Sequence, residues 1–389
     1  MRVGLDLPPQ QRVFGGFFVY AFCIGSLPPR LPDLQRMMQI EEGALGFGLI
    51  GAAAGTLVSL SFSGPILERI GYRRSILTMI PLLAMLYAIA SFATGPLSFF
   101  LLLFPVGLVI GGIEIILNLE ADRTEHMVGY RIMNRAHAFW SFGFFAAGII
   151  SALIAQSGLP VQIHLFLMVP LIIVGVALIL GRFDPAPHRT GSSTEEPPHF
   201  AVPTMAIMVL VAVTLSAMIM EGAGIDWSAI YMRDVFGASP FLSGFAVALG
   251  AWAQAVTRFF ADPFVERYSP TAVARVLLGV LGAGVLLVFF APSGWLALVG
   301  FAMMGIGTSV IFPLAMSAAA QLTDRPAPTN VASLAQISFV AFLLGPPLLG
   351  YIAEYFGIRW SFGIGLPLVI LSIVCVGALG TRPLKHEVE

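Results

Sequence analysis

The chain has 389 residues, of which 58% are hydrophobic and only 11% are charged. Soluble domains average about 25% charged residues, so a soluble fold of this size could not cover its surface. The net charge of −1 gives no electrostatic basis for binding nucleic acid. Cys23 and Cys375 lie in apolar runs and indicate neither a disulfide framework nor a metal site. The composition excludes a disordered chain, a secreted scaffold and a cytosolic enzyme, and predicts a polytopic membrane protein without a cofactor.

Apolar runs long enough to cross a bilayer recur along the whole chain. A helical span needs roughly 20 mostly apolar residues, and the alternation typical of barrel strands is absent. The runs cover 13–33, 44–67, 76–94, 97–121, 135–156, 162–181, 204–231, 240–262, 273–291, 295–318, 329–351 and 360–380. The sequence therefore predicts an all-α fold with twelve transmembrane helices, the first of them an uncleaved span.

The chain has one long polar break, at residues 183–203, which is rich in Pro, Ser and Gly. Such a segment cannot bury a core and is typical of a linker. It divides the chain into an N-terminal bundle of six helices, residues 1–182, and a C-terminal bundle, residues 204–389. We expect each bundle to fold around its own six spans.

The basic residues predict the orientation, because cytoplasmic loops carry an excess of Lys and Arg. With both termini inside, 16 of the 20 basic residues fall on the cytoplasmic side. The outer side receives only Arg30, Arg36, Arg233 and Arg359. We therefore predict cytoplasmic termini and a cytoplasmic linker.

The two halves also resemble each other in sequence. At a separation of 198 residues, Gly46 matches Gly244 and Arg69 matches Arg267, and the intervening Pro and Glu match as well. Pseudo-symmetric repeats of this kind place a substrate site near the middle of the membrane, between the halves.

The loop between spans 2 and 3 carries the most specific motif. Residues 64–74 read GPILERIGYRR, and residues 262–267 repeat its core as DPFVER. The motif resembles the loop signature of the major facilitator superfamily, and the twelve spans, linker and repeat extend that resemblance over the whole chain. It implies a transporter of a small molecule that works by alternating access, in a multi-pass bacterial inner-membrane protein that acts as a monomer among lipids.

Several stretches look like a bacterial permease branch related to the fucose permeases. They are residues 29–33 (PRLPD), Glu114 with Asn118, residues 137–141 (HAFWS) and residues 221–228 (EGAGIDWS). Drug–proton antiporters of the superfamily usually carry a Gly-Pro motif in span 5, whereas residues 141–148 here read SFGFFAAG. That departure favours uptake of a polar metabolite over drug efflux.

Ionisable residues inside a membrane are expensive and indicate function. Glu114 and Asn118 lie four residues apart on span 4 and so share a helix face. Span 5 carries a stripe formed by His137, Trp140 and Ser141. We expect Glu114 to carry a proton and the other four to bind substrate. The alternative is a structural pair between Glu114 and Arg135 or His137.

Span 7 carries Glu221, a second candidate proton carrier, and Asp226, and counting along the helix places both in the outer half. Span 1 ends near Arg30 and Asp33. We expect an Arg30–Asp226 bridge that closes the outer mouth; the alternative is that both charges lie among lipid headgroups.

The remaining candidates fall into two groups. On the inner side, carboxylate–guanidinium bonds can hold neighbouring helices in one state; these gating residues are Glu68, Arg69, Arg73, Glu266 and Arg267. Possible substrate contacts are Trp227, Gln254 and Gln336, although Trp227 is also typical of an aromatic membrane anchor. Arg258, on span 8, is interpreted as an inner-face charge.

These patterns favour a secondary-active transporter that moves a small polar solute, such as a sugar, with protons. Proton-driven efflux of drugs or amphipathic compounds is the alternative. An enzyme would need a nucleophile–base set, and His137 has no evident companion other than Glu114. ATP-driven pumping lacks its phosphate-binding loop, since the only lysine is Lys385.

Overall fold

The computed structural model describes residues 4–130, 132–187 and 202–380, and the regular structure in these ranges is entirely helical. We call the helices before the linker the N half. They are α1 (Pro9–Ile24), α2 (Leu31–Met38), α3 (Glu42–Phe62), α4 (Gly64–Ile70), α5 (Tyr72–Ala90), α6 (Pro96–Val128), α7 (Met133–Gln156) and α8 (Val161–Leu180).

The helices after the linker form the C half. They are α9 (Met205–Asp226), α10 (Ser228–Phe236), α11 (Pro240–Tyr268), α12 (Pro270–Phe290), α13 (Gly294–Thr308), α14 (Ile311–Ala320), α15 (Ala327–Phe356), α16 (Ile358–Gly363) and α17 (Gly365–Cys375). A short 3-10 turn, Val376–Leu379, follows α17.

Eleven helical stretches in the described ranges are long and apolar enough to cross a membrane. The predicted first span, 13–33, is not one helix, because α1 has only 16 residues and gives way to a 3-10 turn at Pro28–Arg30 and then to α2. Prolines lack the N–H that a continuous helix needs, and three of them lie at positions 28, 29 and 32. Gln39 then ends α2 with a positive φ of 54°.

Two more predicted spans contain breaks. Span 7 was predicted to end at residue 231, but α9 ends at Asp226 and α10 continues to Phe236. Span 10 is divided between α13 and α14, with Ser309 and Val310 at the junction.

Small residues bring α3 and α6 into backbone contact. Gly51 and Gly55 on α3, and Gly107 and Gly111 on α6, are each four residues apart. A Cβ added to Gly51 or Gly55 would collide with a carbonyl oxygen of α6, and one on Gly107 would collide with the carbonyl oxygen of Ala52. Spacing of small residues by four is a recognised way to pack membrane helices, because association in lipid depends on close contact rather than on expulsion of water.

The two halves meet along two helix pairs, α3 with α15 and α7 with α11. Gly46 lies against the backbone of Pro346, and Gly148 lies against Ala248. Both contacts allow helices of opposite halves to approach without intervening side chains. The candidate site lies beside the α7–α11 pair.

The α3–α6 contact predicts a large penalty for a side chain at Gly107. We expect Gly107→Leu to destabilise the protein by at least about 2 kcal/mol, because backbone on α3 occupies the required space. Thermal unfolding of the purified protein measures this effect. Gly279→Ala is the matched control, since a Cβ there meets no atom within 4 Å. Equal melting temperatures for the two variants would contradict the packing described.

Candidate functional site

A central cavity lies between the halves and encloses about 440 Å³, counted to its open mouth. Helices α7, α9, α11 and α13 line it. The lining residues are Trp140, Phe144, Met220, Glu221, Gly224, Ile225, Ala246, Val247, Gly250, Ala251, Gln254, Phe301, Met304, Gly305 and Thr308. The cavity is therefore mainly apolar, with a few polar groups.

A chain of hydrogen bonds links four side chains of the N half. Tyr20 donates its hydroxyl hydrogen to Oε1 of Glu114 at 2.8 Å, and the Asn118 amide donates to Oε2 at 3.1 Å. The Asn118 Oδ1 atom lies 3.2 Å from Nε2 of His137. The structure thus brings together Glu114, Asn118 and His137, three of the residues that the sequence analysis singled out. Tyr20 was missed, although a tyrosine in an apolar span usually directs its hydroxyl to a polar partner.

This Tyr20–Glu114–Asn118–His137 network is enclosed by apolar side chains. Ile113 and Leu117 beside Glu114 are buried, and Phe17 contacts the His137 ring edge-on at 5.1 Å between centroids. Two hydrogen bonds to the carboxyl group in an otherwise apolar setting offset part of the free-energy cost of burying it. The Glu114–Arg135 pair, one alternative, is not among the ion pairs of the described residues, and Arg135 is exposed.

The C half places an acid and a base together beside the cavity. Nη2 of Arg258 lies 3.7 Å from Oε1 of Glu221. Nε of Arg258 donates to the carbonyl oxygen of Ser309 at 2.7 Å. The expectation that Glu221 lies in the outer half and Arg258 at the inner face does not fit this contact, because the two side chains lie at the same depth. Because α9 continues into α10, Glu221 lies near the middle of the combined segment.

Two other predicted residues line the cavity. Trp140 stacks on Phe144 with 5.5 Å between ring centroids, and its Nε1 has no hydrogen-bond partner in the described part of the chain. Gln254 is 5% exposed and directs its amide to Oγ1 of Thr308 at 3.4 Å. An aromatic surface and an amide therefore face the same space.

Three predicted substrate contacts lie elsewhere. Ser141 is buried and donates to the carbonyl of His137 on its own helix, at 3.3 Å. Trp227 is fully buried and packs near Gly350 of α15. Gln336 is half-buried on α15 and is not among the residues that line the cavity. In this arrangement these three act in packing or lie outside the cavity.

The predicted Arg30–Asp226 bridge is not formed in this arrangement. Arg30 is 2% exposed and donates from Nε to Asp33 at 2.7 Å and from Nη2 to the carbonyl of Leu159 at 2.8 Å. Its Nη1 lies 3.3 Å from Nδ1 of His164. Asp226 has no hydrogen-bond or ion-pair partner within the described ranges. A buried guanidinium needs several hydrogen-bond acceptors. Arg30 finds all of them in the N half and therefore joins elements of that half only.

A different arginine joins the halves on this side. Arg233, at the end of α10, donates to the carbonyl of Pro32 at 3.0 Å and to Oε1 of Gln35 at 2.7 Å. Two further bonds cross nearby, from the Gly43 N–H to Glu354 at 3.1 Å and from the Phe241 N–H to Gln156 at 3.1 Å. One signal in the sequence pointed to Arg233, which is one of only four basic residues predicted on the outer side.

On the opposite side, the loop motif contacts the beginning of the linker. Arg73 donates to the carbonyls of Gly181 and Phe183 at 2.6 and 2.8 Å. Glu120, interpreted from sequence as a solvated residue, is instead buried and accepts from the Ala186 N–H at 2.9 Å. Gly71 adopts a positive φ of 88°, which ends α4.

The other predicted inner-side gating residues make no cross-half contact in the described ranges. Arg69, Glu266 and Arg267 are exposed, and the Arg267 guanidinium lies 5.2 Å from the ring centre of Tyr268. The side chain of Glu68 is outside what the structure describes.

Comparison with known proteins gives a consistent result. The family model for the Major Facilitator Superfamily matches residues 209–388. An uncharacterized transporter, y4wD of Sinorhizobium fredii, is 29% identical over 374 residues, which is 95% of this chain and 97% of that protein.

Two solved structures show the same fold. The nucleoside transporter NupG has a TM-score of 0.71 at 13% identity and covers 96% of this chain and 98% of its own. The E. coli fucose:proton symporter FucP has a TM-score of 0.65 at 15% identity and covers 96% of this chain and 99% of its own. Together with the helices, the loop motif and the central cavity, these similarities show that the chain resembles multi-pass membrane transporters of the major facilitator superfamily, which are not enzymes.

Proposed function

We propose that the protein takes up a small polar solute by alternating access, coupled to protons through Glu114. The observation that carries this proposal is the Tyr20–Glu114–Asn118–His137 network, a half-buried carboxyl group hydrogen-bonded to α1 and α6. Its His137 lies one helical turn before Trp140, which lines the cavity. Intramembrane carboxyl groups of this kind are typical of proton relays in transporters. FucP, a similar fold, is named as a proton symporter.

The proposed architecture has twelve crossings, with α1, the Pro28–Arg30 turn and α2 together forming the first. Residues 1–182 and 204–389 form two six-helix bundles, and residues 183–203 link them in the cytoplasm with both termini. The protein resides as a monomer in the bacterial inner membrane. This arrangement puts Arg233 at the outer mouth and Arg73 at the inner surface, in agreement with the positive-inside rule.

Alternating access requires a contact that closes one side while the other opens. The cross-half bonds of Arg233, Gly43 and Phe241 all lie at the proposed outer side. Their counterparts on the inner side are missing among the described residues, where Arg73 and Glu120 bind only their own half. We therefore interpret the structure as closed to the outside.

The Glu114 carboxyl group can exchange a proton when the surrounding geometry changes. Its two donors are Tyr20 on α1 and Asn118 on α6, and Asn118 in turn contacts His137 on α7. A movement of α1 or α7 relative to α6 alters how well the charged form is hydrogen-bonded. Glu221 is a weaker candidate than the sequence suggested, because Arg258 already neutralises it.

Proton-driven efflux of amphipathic compounds is the second candidate. It is favoured by the apolar side chains of Phe144, Met220 and Phe301, which dominate the cavity wall. The sidedness of solute accumulation in energised vesicles distinguishes the two directions.

The topology is tested by single cysteines in the linker, for example Ser193→Cys in a chain whose native cysteines are changed to Ser. We expect a membrane-impermeant thiol reagent to label it only after cells are permeabilised, because the linker is cytoplasmic. Ser157→Cys is the control. Ser157 follows the C-terminal end of α7, on the proposed outer side, and should be labelled in intact cells. Labelling of Ser193→Cys in intact cells would refute the orientation.

The outer contact is tested with Arg233→Gln. Loss of two charge-assisted hydrogen bonds should raise the population of outward-open protein about tenfold. The readout is the rate at which an impermeant reagent modifies Ala229→Cys, a fully buried position between the halves. Arg36→Gln is the matched control, because Arg36 binds only Pro32 and Asp33 of its own helix. If the Arg233 variant reacted no faster than the control, Arg233 would have no gating role.

The coupling role is tested with Glu114→Gln, which mimics the protonated carboxyl group and preserves its shape. We expect substrate binding and counterflow exchange to persist while accumulation driven by a pH gradient is abolished. Glu41→Gln is the control, since it neutralises an exposed carboxylate. Full gradient-driven accumulation in Glu114→Gln would remove Glu114 as the proton carrier, and loss of binding would identify it as a substrate ligand instead.

A further inference from the structure

The polar groups of the cavity are few and are concentrated at one place. Glu221 and Gln254 line the cavity, and Arg258 lies next to Glu221. The rest of the wall is formed largely by aromatic and aliphatic side chains such as Phe144, Met220 and Phe301. A ligand that fits must therefore combine an apolar body with groups that suit one acid and one base.

The Glu221–Arg258 ion pair is not closed by a hydrogen bond. The shortest separation, 3.7 Å between Arg258 Nη2 and Glu221 Oε1, is too long for a hydrogen bond. Each side chain keeps about a fifth of its surface exposed, 20% for Arg258 and 23% for Glu221. Arg258 is fixed in place by the bond from its Nε to the Ser309 carbonyl. Glu221 accepts no hydrogen bond within the described part of the chain, so its oxygens are available to a ligand.

One more polar atom at the cavity needs a partner. The indole Nε1 of Trp140 is buried and lacks an acceptor among the described residues. A buried donor left without an acceptor costs free energy. An anionic or carbonyl oxygen in the cavity would supply that acceptor.

We propose that the cavity binds a zwitterion of the α-amino-acid type with an apolar side chain. Its carboxylate contacts Arg258, its ammonium group contacts Glu221, and its side chain packs against the aromatic and aliphatic wall. A separation of 3.7 Å between the protein charges suits ligand charges that are one carbon apart. The inference rests on the proposed function, because it takes this cavity to be the transport site.

Other solute classes fit the same cavity less well. A sugar needs donors and acceptors around its ring, whereas Gln254 already directs its amide to Thr308. A lipophilic cation or anion would pair with one of the two protein charges and leave the other unpaired in a low-dielectric site, which is unfavourable. A zwitterion keeps both charges paired and brings no net charge into the membrane.

Binding is measured by calorimetry with the purified full-length protein in lipid nanodiscs. The probes are L-phenylalanine, L-leucine, L-phenylalanine methyl ester, N-acetyl-L-phenylalanine and D-glucose. We expect both amino acids to bind, and each capped phenylalanine to bind at least about tenfold more weakly because it has lost one charge-assisted contact. Glucose should not compete.

Variants show whether the pair is responsible. The double variant Glu221→Gln/Arg258→Gln leaves no unpaired charge and should fold, yet lose at least about tenfold in affinity for L-phenylalanine. The matched control Glu41→Gln/Arg275→Gln neutralises one exposed acid and one exposed base that do not line the cavity, and should bind normally. Circular dichroism and gel filtration confirm folding of both.

The inference is overturned if neither amino acid binds, if a capped analogue or glucose binds as tightly, or if the double variant retains full affinity. Counterflow of L-phenylalanine in proteoliposomes separates this result from the proposed function. Binding without exchange would contradict transport while supporting the zwitterion site. Exchange of glucose without amino-acid binding would support transport and refute the zwitterion.

Discussion

Polar groups inside a membrane cannot form hydrogen bonds with water and must find partners in the protein. This constraint explains most of the specific side-chain contacts in the structure. Glu114 obtains two donors from α1 and α6. Arg30 obtains acceptors from its own turn and from the segment before α8. Arg258 obtains the Ser309 carbonyl at the break between α13 and α14. Each of these groups ties together helices that their apolar surfaces alone would not align.

Close packing supplies the rigidity that such sites need. Where Gly51 and Gly55 meet Gly107, α3 and α6 touch through their backbones and hold the network-bearing face of α6 in place. Between the halves, contacts of the same kind occur mainly in the α3–α15 and α7–α11 pairs. Rigid halves that contact each other along only a few helix pairs can tilt against each other, whereas a uniformly interdigitated core could not.

The helical fold and part of the candidate site follow directly from the sequence. Long apolar runs allow little besides helices in a bilayer, and a four-residue spacing puts Glu114 and Asn118 on one face whatever the tertiary structure. His137 could be placed beside them because α6 and α7 are antiparallel neighbours with a short connection. Tyr20 could not, since nothing local shows how α1 is rotated.

The failures have a common physical cause, which is that depth and partners depend on how broken helices continue. Counting residues put Glu221 in the outer half because span 7 was expected to end at residue 231, whereas α10 extends to Phe236. The partner of Arg30 was sought at Asp226, in the other half, but its acceptors include Leu159, 129 positions away in the same half. Arg233 contacts Gln35, 198 positions away, and only the three-dimensional structure reveals that pairing.

The central claim is that the two halves rock about the cavity, so that one side opens as the other closes. Spin labels on exposed positions test it most directly, with an outer pair at Ser157 and Pro292 and an inner pair at Ile66 and Phe264. Double electron–electron resonance then measures both distances in lipid nanodiscs, with and without the Arg233→Gln substitution. The account predicts that the substitution lengthens the outer distance and shortens the inner one. Distances that stay fixed, or that lengthen together, would contradict it.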